Sequence, residues 1–467
     1  MMESLLKILD MLNAFIWGPP MILLIFGLGI YFTFKLGFIQ KYLFRAIKLS
    51  VTKDAGSGTV SSFASLAMMV GATVGTGSIL GVTTAIAQGG PGAVFWMVVA
   101  GIFNFAIKYC ECMAAVKYRV QRDTEYVGGP MYVMQRVLKM KWLAVVFAIG
   151  TILMALSAGS ALQANSIADV LREGYNLNPW LVGFIVALIA SAVTIGGVKR
   201  IAAYSQWLVP IMGGMYLFIA VAVVSMNLSK VPHALQTILI SAFTGKAMFG
   251  GAAGVTVSAI ITAALNGIGI GVSRSVMSTE AGLGSAGIAA CAAKTRSAAR
   301  MGIISATSVF WTVFICLLSG LVVTLVGNWQ DPNAFAANLC NSAFQTVPYI
   351  GTPILTFSLI IFSFTTLIGW SYYGEKATQF LIGSRWIKPW RILYILLCAL
   401  GGGLGTTFSL NLTISPDAFE VGLSTRFAWA LVVCMMTFMT LPNLYMLWRV
   451  RHKLAQETKR YLKKRFE

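Results

Sequence analysis

Long apolar runs, separated by short polar and mostly basic segments, repeat along the whole chain. A run of about 20 apolar residues crosses a hydrocarbon core of roughly 30 Å as an α-helix. In lipid every backbone N–H and C=O must be satisfied within the protein, so spanning runs have to be helices or the strands of a closed barrel. No period-two alternation of the barrel kind competes here. The runs predict helices over 14–36, 60–88, 91–118, 142–171, 180–197, 204–227, 234–272, 298–327, 351–382, 390–410 and 425–449, referred to as spans one to eleven. The expected fold is an all-α polytopic membrane protein with about eleven transmembrane helices. Composition agrees: 57% of residues are hydrophobic and 11% charged, against about 45–50% and 25% in soluble domains. The first run follows Met1-Met-Glu-Ser-Leu-Leu-Lys7, a poor signal-peptide start without a small-residue cleavage site, and is read as a mature helix.

The net charge of +20 would suit nucleic acid if it were clustered on a soluble domain, but it sits in alternate loops of a membrane chain. Lys41, Arg45, Lys48 and Lys53 follow span one; Lys117, Arg119, Arg122, Arg136, Lys139 and Lys141 follow span three. The same pattern continues with Lys199 and Arg200, with Arg274, Lys294, Arg296 and Arg300, with Arg385, Lys388 and Arg391, and in the tail beyond Arg449. In all, 27 of the 35 lysines and arginines fall on this side, against Lys7, Arg172, Lys230, Lys246 and Arg426 on the other. By the positive-inside rule the N-terminus is extracytoplasmic and the C-terminus cytoplasmic. Five of the seven cysteines (Cys110, Cys112, Cys316, Cys398, Cys434) lie within apolar spans and His233 and His452 are the two histidines, so neither a disulfide framework nor a metal site is indicated.

Glycine and hydroxyl residues at the centre of a spanning helix point to irregular backbone or close packing. Two such clusters occur, Gly71-Ala-Thr-Val-Gly-Thr-Gly-Ser78 in span two and Gly250-Gly-Ala-Ala-Gly254 in span seven. These spans open two consecutive sets of five. Five being odd, the second set enters the membrane from the opposite side, which is the topology of an inverted repeat with discontinuous helices two and seven. The corresponding division is residues 1–59 as an extra transmembrane helix and basic loop, 60–230 as the first repeat, 231–449 as the second and 450–467 as a basic tail. Unwound segments expose carbonyls for a cation and N–H groups for a carboxylate.

Several motifs then carry a family resemblance. Gly89-Gly-Pro-Gly-Ala-Val-Phe-Trp-Met97 opens span three, followed in order by Gly128-Gly-Pro-Met-Tyr132, Leu162-Gln-Ala-Asn-Ser166, Gly196-Gly-Val-Lys-Arg-Ile201, Glu280-Ala-Gly-Leu-Gly-Ser285 and Phe362-Ser-Phe-Thr-Thr-Leu-Ile-Gly-Trp-Ser-Tyr-Tyr-Gly-Glu-Lys-Ala377. Together they resemble the alanine or glycine:cation symporter family over roughly residues 60 to 445. The resemblance implies a leucine-transporter-like five-plus-five core and sodium-coupled uptake of a small neutral amino acid: alanine or glycine, with D-alanine and serine as close relatives, at the bacterial inner membrane. The chain departs from the family at Gly77-Ser78-Ile79, where Gly-Asn-Ile is usual, at Ser278-Thr279-Glu280, where Ser-Asn-Glu is usual, and at Val309-Phe310-Trp311-Thr312, where an acid is usual.

A zwitterion in a dehydrated pocket needs donors for its carboxylate and acceptors for its ammonium. Thr76, Gly77 and Ser78 with Gly250, Gly251 and Gly254 supply backbone and hydroxyl groups; Gln163 in span four offers an amide, and Trp370 in span nine bulk that limits side-chain size. Each has a plain structural alternative, an interhelical hydrogen bond for Gln163 and ordinary packing for Trp370. For the cation, sodium takes hard oxygen ligands, and the fold that the resemblance implies would set the adjacent hydroxyls of Thr365 and Thr366 opposite the carbonyls of Gly71 and Val74; the alternative is a threonine bonded to its own i−4 carbonyl, and one of the two is expected to point away from any given site. Lys108 and Glu111, three apart in span three, are expected to pair and snorkel near the basic face, with Glu280 and Glu375-Lys376 as gate or loop anchors.

No cofactor is expected beyond the co-transported sodium, and no catalytic set converges. Proton coupling is the alternative driving force. A channel would carry repeated pore loops, and a sensor an appended soluble domain. A reporter fused at Glu467 is expected to be active only in its cytoplasmic form; activity confined to the extracytoplasmic form would invert the topology.

Overall fold

The computed structural model describes residues 2–122, 125–243, 270–327, 329, 336–410 and 423–463. Helices fill the apolar runs. Seven of them among the described residues are long and apolar enough to cross a membrane: Met11–Lys35, Gly92–Lys117, Lys141–Tyr175, Gly197–Met226, Ala298–Val326, Gly351–Ile382 and Leu431–Lys463, which are spans one, three, four, six, eight, nine and eleven. Span five is the shorter apolar helix Pro179–Thr194 and span ten is Ile387–Leu410. Span two is split into Ser62–Thr73 and Leu80–Gly89. Span seven starts as Val231–Phe243 and is helical again over 270–279. The second expected break, with Gly250, Gly251 and Gly254, lies outside the described residues.

Two helix ends differ from the apolar pattern for local reasons. Span one is preceded by the helix Met2–Trp17, and the chain turns at Gly18 before Pro19 and Pro20 start the next helix. Proline suits the first helical turn, where its missing N–H costs nothing. Span six begins at Gly197, well before the apolar run, because Lys199 and Arg200 extend the helix with their heads exposed.

Packing joins helices five apart in the chain. Span three lies along span eight, span four against span nine and span five along span ten, while span six covers spans two and nine. Small residues permit the closest crossings, since in lipid helix association rests on close packing. A Cβ added at Gly402 of span ten would meet the Gly183 Cα of span five at 2.4 Å, and one at Gly369 of span nine would meet the Ala72 Cβ of span two at 2.7 Å.

The basic face is closed by loops. Strands β1 (Val120–Arg122) and β2 (Glu125–Val127) form an antiparallel hairpin after span three, with Gln121 opposite Tyr126. Arg119 donates to the carbonyls of Cys291 at 2.9 Å, Ala293 at 2.7 Å and Ser57 at 2.7 Å, and stacks over the Tyr126 ring. Burial lowers the pKa of its guanidinium from the ordinary value. Lys376 of span nine reaches Glu125 of β2 at 2.6 Å and Glu375 at 3.1 Å, and Arg391 of span ten reaches Glu375 at 2.7 Å. The basic tail continues span eleven as one helix, Leu423–Lys463, and docks on span three, where the Thr458 hydroxyl lies 2.9 Å from that of Tyr109.

Candidate functional site

Span two leaves the helical conformation at Val74 (φ −84°, ψ 85°). Thr76–Ser78 make a single 3₁₀ turn before the helix restarts at Leu80. The break therefore falls on the glycine and hydroxyl cluster expected from the sequence. In lipid an interrupted helix is tolerated only where neighbouring protein re-satisfies its backbone. Three spans do so here. Thr366 of span nine donates its hydroxyl to the Gly71 carbonyl at 3.0 Å. Ser278 of span seven donates to the Gly77 carbonyl at 3.4 Å, and Ser319 of span eight approaches the Ser78 carbonyl at 3.5 Å. The Ser78 hydroxyl is fully buried and has no hydrogen-bond partner among the described residues.

Span nine meets the break edge-on. A Cβ at Gly71 would lie 3.1 Å from the Thr365 Cβ, and one at Gly75 would lie 2.8 Å from the Thr366 hydroxyl oxygen. The two adjacent threonines do not point apart. Both hydroxyls sit 3.0 Å from the Phe362 carbonyl, and Thr365 also lies 3.4 Å from the Met212 sulfur of span six. Bonding within the helix and facing the break thus occur together: Thr366 does both. The Gly71 and Phe362 carbonyls and two hydroxyls form a compact group of hard oxygen atoms, the donor chemistry an alkali cation needs.

One turn further along, Trp370 is buried. Its Cβ would be 2.4 Å from a Cβ at Gly159, which lies in a π-helical turn of span four, Ala155–Ala161. Such turns interrupt the α-helical ladder and are common at functional sites. Gln163 follows directly. Its amide N–H donates to the Ala158 carbonyl at 3.1 Å, and its buried Oε1 has no partner among the described residues. The structure therefore joins Gly71, Thr365 and Thr366 in one group and Gly159 with Trp370 in a second, one helical turn along span nine, while Gln163 bonds within its own helix one turn beyond Gly159.

The family follows from comparison with known proteins. The sequence model of the sodium:alanine symporter family matches residues 2–467. The chain belongs to that family. An uncharacterized transporter of Haemophilus influenzae is 40% identical over 465 residues, covering 98% of this chain and 96% of the relative. The sodium/alanine symporter AgcS of Methanococcus maripaludis is 36% identical over 468 residues, 97% of each chain. Among solved structures, MhsT in complex with L-phenylalanine superposes with a TM-score of 0.61 at 13% identity, covering 86% of this chain and 93% of MhsT. That likeness shows the leucine-transporter-like fold. The protein is thus a multi-pass membrane symporter of a transporter family.

Sequence spacing missed how this symporter buries charge. Lys108 and Glu111 pair at 3.2 Å as expected, but both are 0% exposed, so neither snorkels. The correction has a physical cause: the turn at 280–285 and span eleven cover them. The Glu111 carboxylate accepts from the Gly282 N–H at 3.1 Å and the Asn443 amide at 3.2 Å, and Lys108 donates to the Glu280 carbonyl at 3.1 Å. Asn443 also donates to the Gly282 carbonyl at 2.8 Å. The only sequence signal was the glutamate in Glu280-Ala-Gly-Leu-Gly-Ser285; Asn443 gave none. Removing one partner of a buried ion pair leaves an uncompensated charge and costs about 3–5 kcal/mol. Glu111→Leu and Lys108→Met are each expected to lose stability on that scale, whereas Lys108→Met/Glu111→Leu loses less than the two single losses together. Thermal unfolding of the purified variants in detergent checks this, and additive losses would show that the two side chains do not act as a pair.

Proposed function

We propose that this symporter carries a small neutral amino acid, alanine or glycine with D-alanine or serine as close relatives, together with sodium, by alternating access across the cell membrane. The single observation that carries this reading is the break in span two, whose Gly71 carbonyl and Gly75 face Thr365 and Thr366, one helical turn before Trp370. We assign sodium to Gly71, Val74, Thr365 and Thr366. The amino acid is assigned to the adjoining Thr76, Gly77 and Ser78, with Gln163 and Trp370 on the far side and Gly250, Gly251 and Gly254 from span seven. A small substrate is the expectation that goes with this assignment: Gly71 and Gly75 pack closely against Thr365 and Thr366, and a tryptophan in the wall would leave little room beyond a methyl or hydroxymethyl group. The likeness to AgcS, a sodium/alanine symporter, supports both the cargo and the driving ion. In this reading residues 60–230 and 231–449 are the inverted repeats, 1–59 precede them, 450–467 form the basic tail, and the tail faces the cytoplasm with the N-terminus outside.

Coupling has a simple physical basis in this arrangement. A cation bound between span two and span nine holds the break in place, and the same break presents the substrate's N–H and hydroxyl partners. Valine keeps the branched shape of threonine and deletes the oxygen. Thr366→Val removes a ligand oxygen together with the Gly71 carbonyl's donor, and Thr365→Val removes one ligand oxygen. Both are expected to raise the sodium concentration for half-maximal alanine uptake several-fold in proteoliposomes at matched protein levels, Thr366→Val more. Wild-type sodium curves in both variants would place the cation elsewhere. Uptake that ignores sodium and follows an imposed proton gradient would make protons the driving ion.

A further inference from the structure

We propose that Glu280 is the positioning residue for Trp370: its carboxylate fixes the indole as the wall of the substrate site nearest the basic face and so sets which amino acids fit. The proposal rests on Trp370 lining the substrate site. The Trp370 indole N–H donates to Glu280 Oε1 at 3.2 Å. The other carboxylate oxygen accepts the Ser285 hydroxyl at 2.6 Å. Both oxygens are thereby spoken for, and the carboxyl plane cannot turn without losing one of them.

The backbone beneath this carboxylate is fixed as well. Glu280 ends the helix of span seven in the left-handed region, with φ of 50°, a conformation that costs a non-glycine residue energy and persists where the surroundings enforce it. Its N–H is held by the Val276 carbonyl at 2.8 Å, and its own carbonyl by the Lys108 ammonium at 3.1 Å. Lys108 is in turn fixed by Glu111. The buried pair of span three thus braces the residue that braces the tryptophan.

The indole has no slack on its other sides. Its Cβ and Cγ pack where Gly159 has no side chain, and Tyr373 meets the ring edge-to-face at 5.4 Å. Two residues before Glu280, Ser278 holds the Gly77 carbonyl of the break. A continuous set of contacts therefore runs from the break through Ser278 and Glu280 to Trp370, and on to Gly159 four residues before Gln163. It connects spans two, seven, nine and four around the space assigned to the substrate. A tryptophan held only by packing could swing to admit a longer side chain. One whose N–H is tied to a buried carboxyl oxygen loses that hydrogen bond when it swings.

The test is transport selectivity in proteoliposomes. Glu280→Ala is expected to raise the KM for alanine several-fold, the scale of losing one buried hydrogen bond, up to about tenfold, and to reduce the preference for alanine over leucine in competition. Glu280→Gln keeps an acceptor oxygen at the same reach and is expected to restore most of that preference. Trp370→Phe, which lacks the N–H, should show the same loss of preference, and combining it with Glu280→Ala should add little. Where Glu280→Ala fails to reach the membrane, Ser285→Ala serves, with a smaller shift in the same direction. An alanine-to-leucine ratio that stays at the wild-type value in Ser285→Ala and Trp370→Phe, or additive losses in the double variant, would overturn the proposal. If wild-type protein shows no sodium-driven alanine uptake, the symport reading fails instead, so the two failures are distinguishable.

Discussion

A helix that stops in mid-membrane has to find partners for the backbone groups it releases, and the rest of this structure is arranged around that requirement. Water is not available in the hydrocarbon core, and each unsatisfied group there costs several kcal/mol. Thr366, Ser278 and Ser319 supply hydroxyls to the carbonyls at Gly71, Gly77 and Ser78. Each comes from a different span, so the break also sets where spans seven, eight and nine must lie. A hydroxyl that donates to a carbonyl can surrender that bond to a cation while keeping its oxygen as a ligand. At the sodium site proposed above, the same oxygens would serve both the empty and the occupied state.

Charge is handled by similar economy. Lys108, Glu111 and Glu280 are buried together and, beyond the local Lys108–Glu111 pair and the Glu280–Ser285 hydrogen bond, their contacts join elements distant in sequence: span three, the turn after span seven, span nine through Trp370 and span eleven through Asn443. Nearer the basic face, Glu125, Glu375, Lys376 and Arg391 tie the hairpin to spans nine and ten. Buried pairs add little net stability over apolar packing but are costly to break singly. Their value here is registration. They determine which turn of one helix faces which turn of another, a property that uniformly apolar helix surfaces lack.

How much of this was legible in the sequence follows from the same physics. Lipid enforces helices on every long apolar run, so the spans and the break at Gly71–Ser78 could be read directly; the approach of Thr365 and Thr366 to Gly71 came from the fold that the family resemblance implies, and a strand-like reading of adjacent residues as pointing apart failed because both hydroxyls turn to the Phe362 carbonyl of their own helix. Helix ends were read less well at Gly18 and Gly197, where turn chemistry and interfacial lysine and arginine, rather than hydropathy, decide. The exposure of Lys108 and Glu111 could not be read, because what buries them lies more than 160 residues away along the chain. Trp370 was picked out for its bulk; its bond to Glu280 is a contact across 90 residues that no local spacing encodes.

The central claim is that one break organises cation and amino acid together, and equilibrium binding tests it without the complications of flux. Labelled alanine would be titrated onto purified protein at low and high sodium, and labelled sodium at zero and saturating alanine. If both ligands depend on the same break, alanine affinity rises with sodium, and alanine raises sodium affinity by the same factor, as linkage demands. An alanine affinity that does not change between sodium-free and sodium-saturated protein would contradict the account.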